Sequence, residues 1–165
     1  PLPFASESIA YFHAEHVIEH FEPAAAAHLL DEAFRCLKAG GVLRLATPDA
    51  TLFLDLGRTI EGGGREGREW QDWVVAANRR WQVPEDDVTD WLFAVNRAFS
   101  SWGHRFLYTR DYLDRVLQRH RFLTEWQRVG ESRFIDLRQV ERHGERGGPR
   151  ENDMHTMVVD AIKAS

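Results

Sequence analysis

The sequence predicts an α/β fold, and three stretches near its start carry that expectation. A β-prone run from Ser8 to His13 (SIAYFH) precedes a segment in which Ala26, Leu29, Leu30, Ala33, Phe34 and Leu37 recur at helical spacing. VLRLAT, from Val42 to Thr47, follows as an alternating strand. Two strands joined through a helix of this length are normally parallel, with the ligand side at their C-terminal ends. That places His13 to His20 and Thr47 to Asp49 on one rim.

Each element has a local cause. Pro23 opens the helix because its missing N–H would be unpaired at a first helical position in any case, and Gly40 and Gly41 supply a stop after about Lys38. Pro48 and Asp49 end the second strand, since proline cannot donate to a sheet ladder. Gly57 to Glu69 (GRTIEGGGREGRE) is glycine-rich and charged, and reads as a mobile loop. Trp70, Trp73, Val74, Ala77 and Trp81 mark one helix, and Trp91, Leu92, Val95 and Phe99 a second, with Pro84 between them. These four tryptophans are expected in the core, because each buries a large apolar area. Thr109 is placed to cap a helix with Tyr112, Leu113, Val116, Leu117 and His120 on one face. Phe122 to Val129 and Met157 to Ile162 read as further strands.

The chain has 165 residues, the size of one ordinary domain, and its 43% hydrophobic and 28% charged content is that of a globular protein. No apolar run approaches the roughly 18 residues of a membrane span, and PLPFASESIA has no leader pattern, so a cytoplasmic protein is expected. The lone Cys36 fits a reducing compartment. A net charge of −5 argues against a broad grip on nucleic acid and leaves small molecules as the expected partners. Lys38 and Lys163 are the only lysines, which leaves 21 − 2 = 19 arginines, read here as a compositional preference.

The order of motifs resembles a known family. LPFASESIAYFHAEHVIEHF and LLDEAFRCLKAGGVLRLATPD resemble the loop, fourth strand, helix and fifth strand of the class I, seven-strand S-adenosylmethionine-dependent methyltransferases, with RCLKAGG where many members have RVLKPGG. WGHRFLYTRDYLDRVLQRHRF and ESRFIDLRQVERHG resemble the C-terminal half of a predicted bacterial, type 11-like methyltransferase group. The resemblance spans nearly the entire chain. It implies a Rossmann-like methyltransferase sheet, N-terminally truncated, with an inserted aromatic helical segment: one partial domain over 1–165, divided into a core at 1–50, a loop and helical insertion at 51–103, and a C-terminal helix and strands at 104–165. The family's strands lie in the order 3-2-1-4-5-7-6. Its glycine-rich turn after the first strand and its ribose-binding acidic residue after the second have no counterpart here, and Gly62 to Gly64 follows no strand. The implied function is methyl transfer from S-adenosylmethionine to a small-molecule acceptor, impaired in this chain, which is expected to bind the cofactor weakly or not at all. The alternative is a non-enzymatic α/β interaction module derived from a methyltransferase.

The resemblance also nominates residues. His13, Ala14, Glu15 and His16 would line the methionine end of the cofactor, with His16 as a general base where the acceptor must lose a proton; otherwise Glu15 and His16 merely cap the following turn. Within HVIEH, Glu19 and His20 lie three and four residues after His16, so a helical conformation would put all three on one face, as a divalent metal needs. Some ubiquinone-pathway O-methyltransferases carry a similar ion-binding arrangement, and HxxEH also marks inverted zinc peptidases, although nothing nominates their further ligand. The other reading makes His20 a hydrogen-bonded histidine on the sheet and Glu19 a solvated helix residue. Trp102, His104 and Arg142 fall in loops that the resemblance turns toward the active site, as acceptor-binding residues, with His104 a second catalytic candidate. Finally, Ile9 to Phe12 is apolar on both faces without a protecting charge or proline. This edge is expected to pair with a second copy in a homodimer, or with a missing N-terminal fragment.

Overall fold

In a computed structural model that describes residues 1–143 and 154–164, one open sheet is built from β1 (Ile9–Glu15), β2 (Leu37–Pro48), β3 (Phe122–Gln127) and β4 (Thr156–Lys163). The order is β1-β2-β4-β3. β1 runs parallel to β2, and β4 runs antiparallel to both β2 and β3. When β1 takes the place of a fourth strand, this order becomes 4-5-7-6, the C-terminal half of the order expected above. β1 is an edge of the sheet among the described residues, and its Tyr11 is 38% exposed.

The chain divides into two compact units, residues 1–49 with 106–165, and residues 50–105. In unit 1, α1 (Pro23–Cys36) and α6 (Arg110–Arg119) cover one face of the sheet. Leu30 and Ala33 of α1 and Leu113 and Leu117 of α6 share a core with Leu43, Leu45, Val159 and Ala161. Thr109 caps α6 as expected, its hydroxyl accepting from the Tyr112 N–H. Alternate residues point the other way, so Val42 and Ile162 meet Leu137 and Phe134 of the segment between β3 and β4. The first helix ends at Cys36 rather than near Lys38, and the Gly40–Gly41 pair lies inside β2. There the register with β1 shifts between Ile9 and Tyr11, and a Cβ on Gly41 would come within 3.0 Å of the Ala10 carbonyl oxygen. The glycines permit an irregular strand start instead of stopping the helix.

Unit 2 is helical: α2 (Ala50–Leu54), α3 (Leu56–Gly62), α4 (Gly64–Arg80) and α5 (Trp91–Ser100). The stretch Gly57 to Glu69, expected as a mobile loop, is therefore two helices joined at Gly63, where φ is +70°. The reason is packing. A Cβ on Gly57 would lie 2.5 Å from the Trp91 ring, and one on Gly67 would lie 2.8 Å from the Thr59 carbonyl oxygen. Glycine is needed at these two places for close approach, not for freedom. Trp70 is buried and Trp73, Trp81 and Trp91 are half-buried, with Trp73 edge-on to both Trp70 and Trp81 at 5.4 and 6.4 Å. Buried Asn78 donates to the Val88 and Asp90 carbonyls, and the Asp90 side chain caps α5. Among the described residues, no helix is long and apolar enough to cross a membrane.

Candidate functional site

The parallel pairing of β1 and β2 delivers the HVIEH motif to their C-terminal ends, where the His16 N–H still bonds the Ala46 carbonyl at 2.8 Å. His16 then turns out of the ladder with φ +50°, and only Ile18–His20 forms a single tight turn. The helical premise for His16, Glu19 and His20 on one metal-binding face is thus not met. Glu19 is also not the solvated residue of the other reading: its side chain is fully buried. One carboxylate oxygen accepts from Thr47 Oγ1 at 2.9 Å, and the other lies 3.1 Å from His16 Nδ1. Burial pushes the Glu19 carboxyl up, but the His16 imidazole 3.1 Å away, its own backbone N–H and Thr47 together hold it below its ordinary value.

His16 is 12% exposed, and its Nε2 is buried with no hydrogen-bond partner among the described residues. Its ring stacks on His143, with centroids 3.8 Å apart and planes at 22°. Such a left-handed, non-glycine residue stores strain and persists only where its surroundings over-determine it. His155, just before β4, is held down at about 4 by desolvation and then by the nearby His16 and His143. Tyr108 is buried and pushed up to about 12, by burial and then by Tyr112 and Glu19. It is therefore a neutral phenol at neutral pH.

The other nominated residues fall in different settings. The Glu15 carboxylate accepts from the backbone N–H groups of Arg142 at 2.7 Å and His143 at 2.9 Å, so it holds a segment of this chain. Ala14 packs against the helical-face core, while His13 lies across from Arg44 in the register. Desolvation lowers His13, and the Glu141 and Glu15 carboxylates oppose that effect. In unit 2, Trp102 is 57% exposed, with φ +57° and Gly103 beside it at +80°. Its ring lies edge-on to Trp81 at 5.6 Å and 5.6 Å from His104, whose Nδ1 is 2.6 Å from the Ala98 carbonyl oxygen.

Sequence reasoning missed a charge network inside unit 1. Arg44 and Asp160, directly paired across β2 and β4, are fully buried and joined at 2.7 Å. Arg44 Nε also meets Glu141, and its third nitrogen donates to the Glu131 carbonyl at 2.9 Å. The available signal was a charge in the middle of each apolar run, VLRLAT and MVVDAIK, because buried charges are usually paired.

No protein-family model and no curated protein matches the sequence. Solved structures do. All of this chain aligns with 58% of a chain in the complex of the Haloferax volcanii Trm112 methyltransferase activator with a candidate methyltransferase, at 12% identity and a TM-score of 0.50. A S-adenosylmethionine-dependent methyltransferase from Thermotoga maritima aligns over 99% of this chain and 60% of its own, at 19% identity and a TM-score of 0.48. One from Methanosarcina mazei aligns over 99% and 63%, at 16% identity and 0.49. The chain thus spans about six tenths of these structures. With a strand order of 4-5-7-6 and full alignment at a TM-score of 0.50, the chain has the fold of the class I S-adenosylmethionine-dependent methyltransferases.

Proposed function

We propose that the rim of unit 1 is the reaction side of a S-adenosylmethionine-dependent methyltransferase acting on a small-molecule acceptor. The observation that carries this reading is the His16 imidazole. A carboxylate facing one imidazole nitrogen favours the tautomer protonated there and leaves the other nitrogen as a base. Glu19 Oε1 lies 3.1 Å from Nδ1, an ion-pair distance without an aligned hydrogen bond, and Nε2 is buried and unpartnered among the described residues. His16 Nε2 would take the proton from a hydroxyl or amine acceptor, with Glu19 orienting the ring and Thr47 holding Glu19. His13, Ala14, Glu15 and His16 would line the methionine end of the cofactor. S-adenosylmethionine, when bound, supplies an electrophilic methyl group and leaves as a neutral thioether. Arg142 is assigned to the acceptor, and Glu19 to orienting His16.

Titrating S-adenosylmethionine to millimolar concentration while recording histidine and backbone NMR shifts tests the reading. The moving resonances should be those of residues 13–16. Shifts that lie elsewhere, or none at these four residues, overturn it.

The same reading takes β1 as an interaction edge that pairs with a second copy or with an N-terminal fragment. Light scattering on the purified chain should give a dimer, and Tyr11→Pro should shift it toward monomer by removing a donor that faces away from β2. A monomer at high concentration, indifferent to the substitution, removes the homodimer.

A further inference from the structure

We propose that Arg44 and Glu141 are positioning residues for the rim, holding the segment 128–143 so that His143 meets His16 and two backbone N–H groups meet Glu15. The role of His16 is the one proposed above; the positioning stands on geometry alone.

The network is complete in its hydrogen bonds. Asp160 accepts from Arg44 on one oxygen and from Ser132 Oγ at 2.6 Å on the other. Glu141 accepts from Arg44 on one oxygen and from the Gly130 N–H at 2.9 Å on the other. Arg44 uses all three nitrogens, on Glu141, Asp160 and the Glu131 carbonyl. The segment also closes on itself through Gln139 N–H to the Gly130 carbonyl and Arg138 Nε to the Ser132 carbonyl. Apolar contacts of Phe134 and Leu137 press it to the sheet but are non-directional, whereas charge-assisted bonds set its register. Arg142 and His143 directly follow Glu141, so any displacement of Glu141 reaches both groups that touch β1 and the rim. The network thereby ties β2 and β4 to the C-terminal end of β1.

The test is Glu141→Gln, followed by NMR without any cofactor. Arg44 and Gly130 use different oxygens of Glu141, so in a glutamine one of these two donors would face the amide N–H₂ instead of an acceptor. Cross-peaks between the His16 and His143 rings should be lost, and the Arg142 and His143 amides should exchange rapidly, while the shifts of α1 and α6 persist. Asp136→Asn, exposed on the same segment, should change none of these. Should Glu141→Gln fail to fold, exchange in the unaltered protein decides: the Arg142 and His143 amides should be as protected as that of Gly130. Intact ring cross-peaks in Glu141→Gln, or fast exchange at 142–143 beside a protected Gly130, overturn the proposal. Failure of S-adenosylmethionine to bind would remove the proposed function and leave this result readable.

Discussion

The two units differ in the charge they bury. In unit 2 the ion pairs Asp55–Arg58, Arg65–Glu69 and Arg79–Glu85 lie on the surface, with the arginine side chains 88%, 86% and 61% exposed, and aromatic rings and Asn78 hold the interior. In unit 1 Arg44, Asp160 and Glu19 are fully buried, and the rim sets His16 beside Glu19, with His143 stacked on it and His155 close to both histidines. A charge in water costs little to lose, whereas a buried charge stripped of its partner remains as an uncompensated penalty. Unit 1 should therefore respond to charge and pH, and unit 2 to volume.

The largest effect should come from Arg44→Ala. It leaves Asp160 and Glu141 buried without their cation, and urea unfolding at neutral pH should show a loss of about 3–5 kcal/mol. A loss no greater than that at a surface pair would erase the contrast between the units. Acidification comes next. Because the folded His155 stays neutral down to about 4 while its unfolded form takes a proton near 6.5, stability should fall as pH drops through that window, by about 3 kcal/mol, and then level. His155→Gln should flatten this slope. Glu19 has the usual carboxylate sign, its contribution being present above its ordinary value and lost only as pH falls below it.

Unit 2 should instead register a single methyl. Gly57→Ala drives a Cβ into the Trp91 ring and should cost about 1–3 kcal/mol with no pH dependence, and Trp91→Ala in the same chain should relieve the clash. A pH-dependent loss there would contradict the division. The smallest effect belongs to Arg65→Ala, which removes one exposed pair four residues apart on α4 and should change the unfolding midpoint by about 0.5 kcal/mol or less.

The sheet and its helices were legible because their causes are local. Pro23 starts α1, Thr109 caps α6, and the alternation of VLRLAT survives as β2 with Leu43 and Leu45 on the helical core and Val42 on the other face. The glycines misled because their meaning depends on what lies against them. GRTIEGGGREGRE gives no local sign that Trp91 lies over Gly57 or the Thr59 carbonyl against Gly67. HVIEH was located by its position after a strand, but its conformation was decided by the ladder bond from His16 to Ala46, which no spacing rule anticipates.

The sequence by itself determined the order of the strands and of the helices that cover them in unit 1, and brought HVIEH to the end of a strand, because propensity, capping and periodicity act within a few residues. Only the tertiary structure decided that Glu19 bonds Thr47, that Arg44 finds both Asp160 and Glu141, and that Glu15 holds the backbone at 142–143. Those partners are 28, 97, 116 and more than 120 residues apart in the chain, and such contacts exist only once the parallel crossover and the antiparallel return of β4 have closed the sheet.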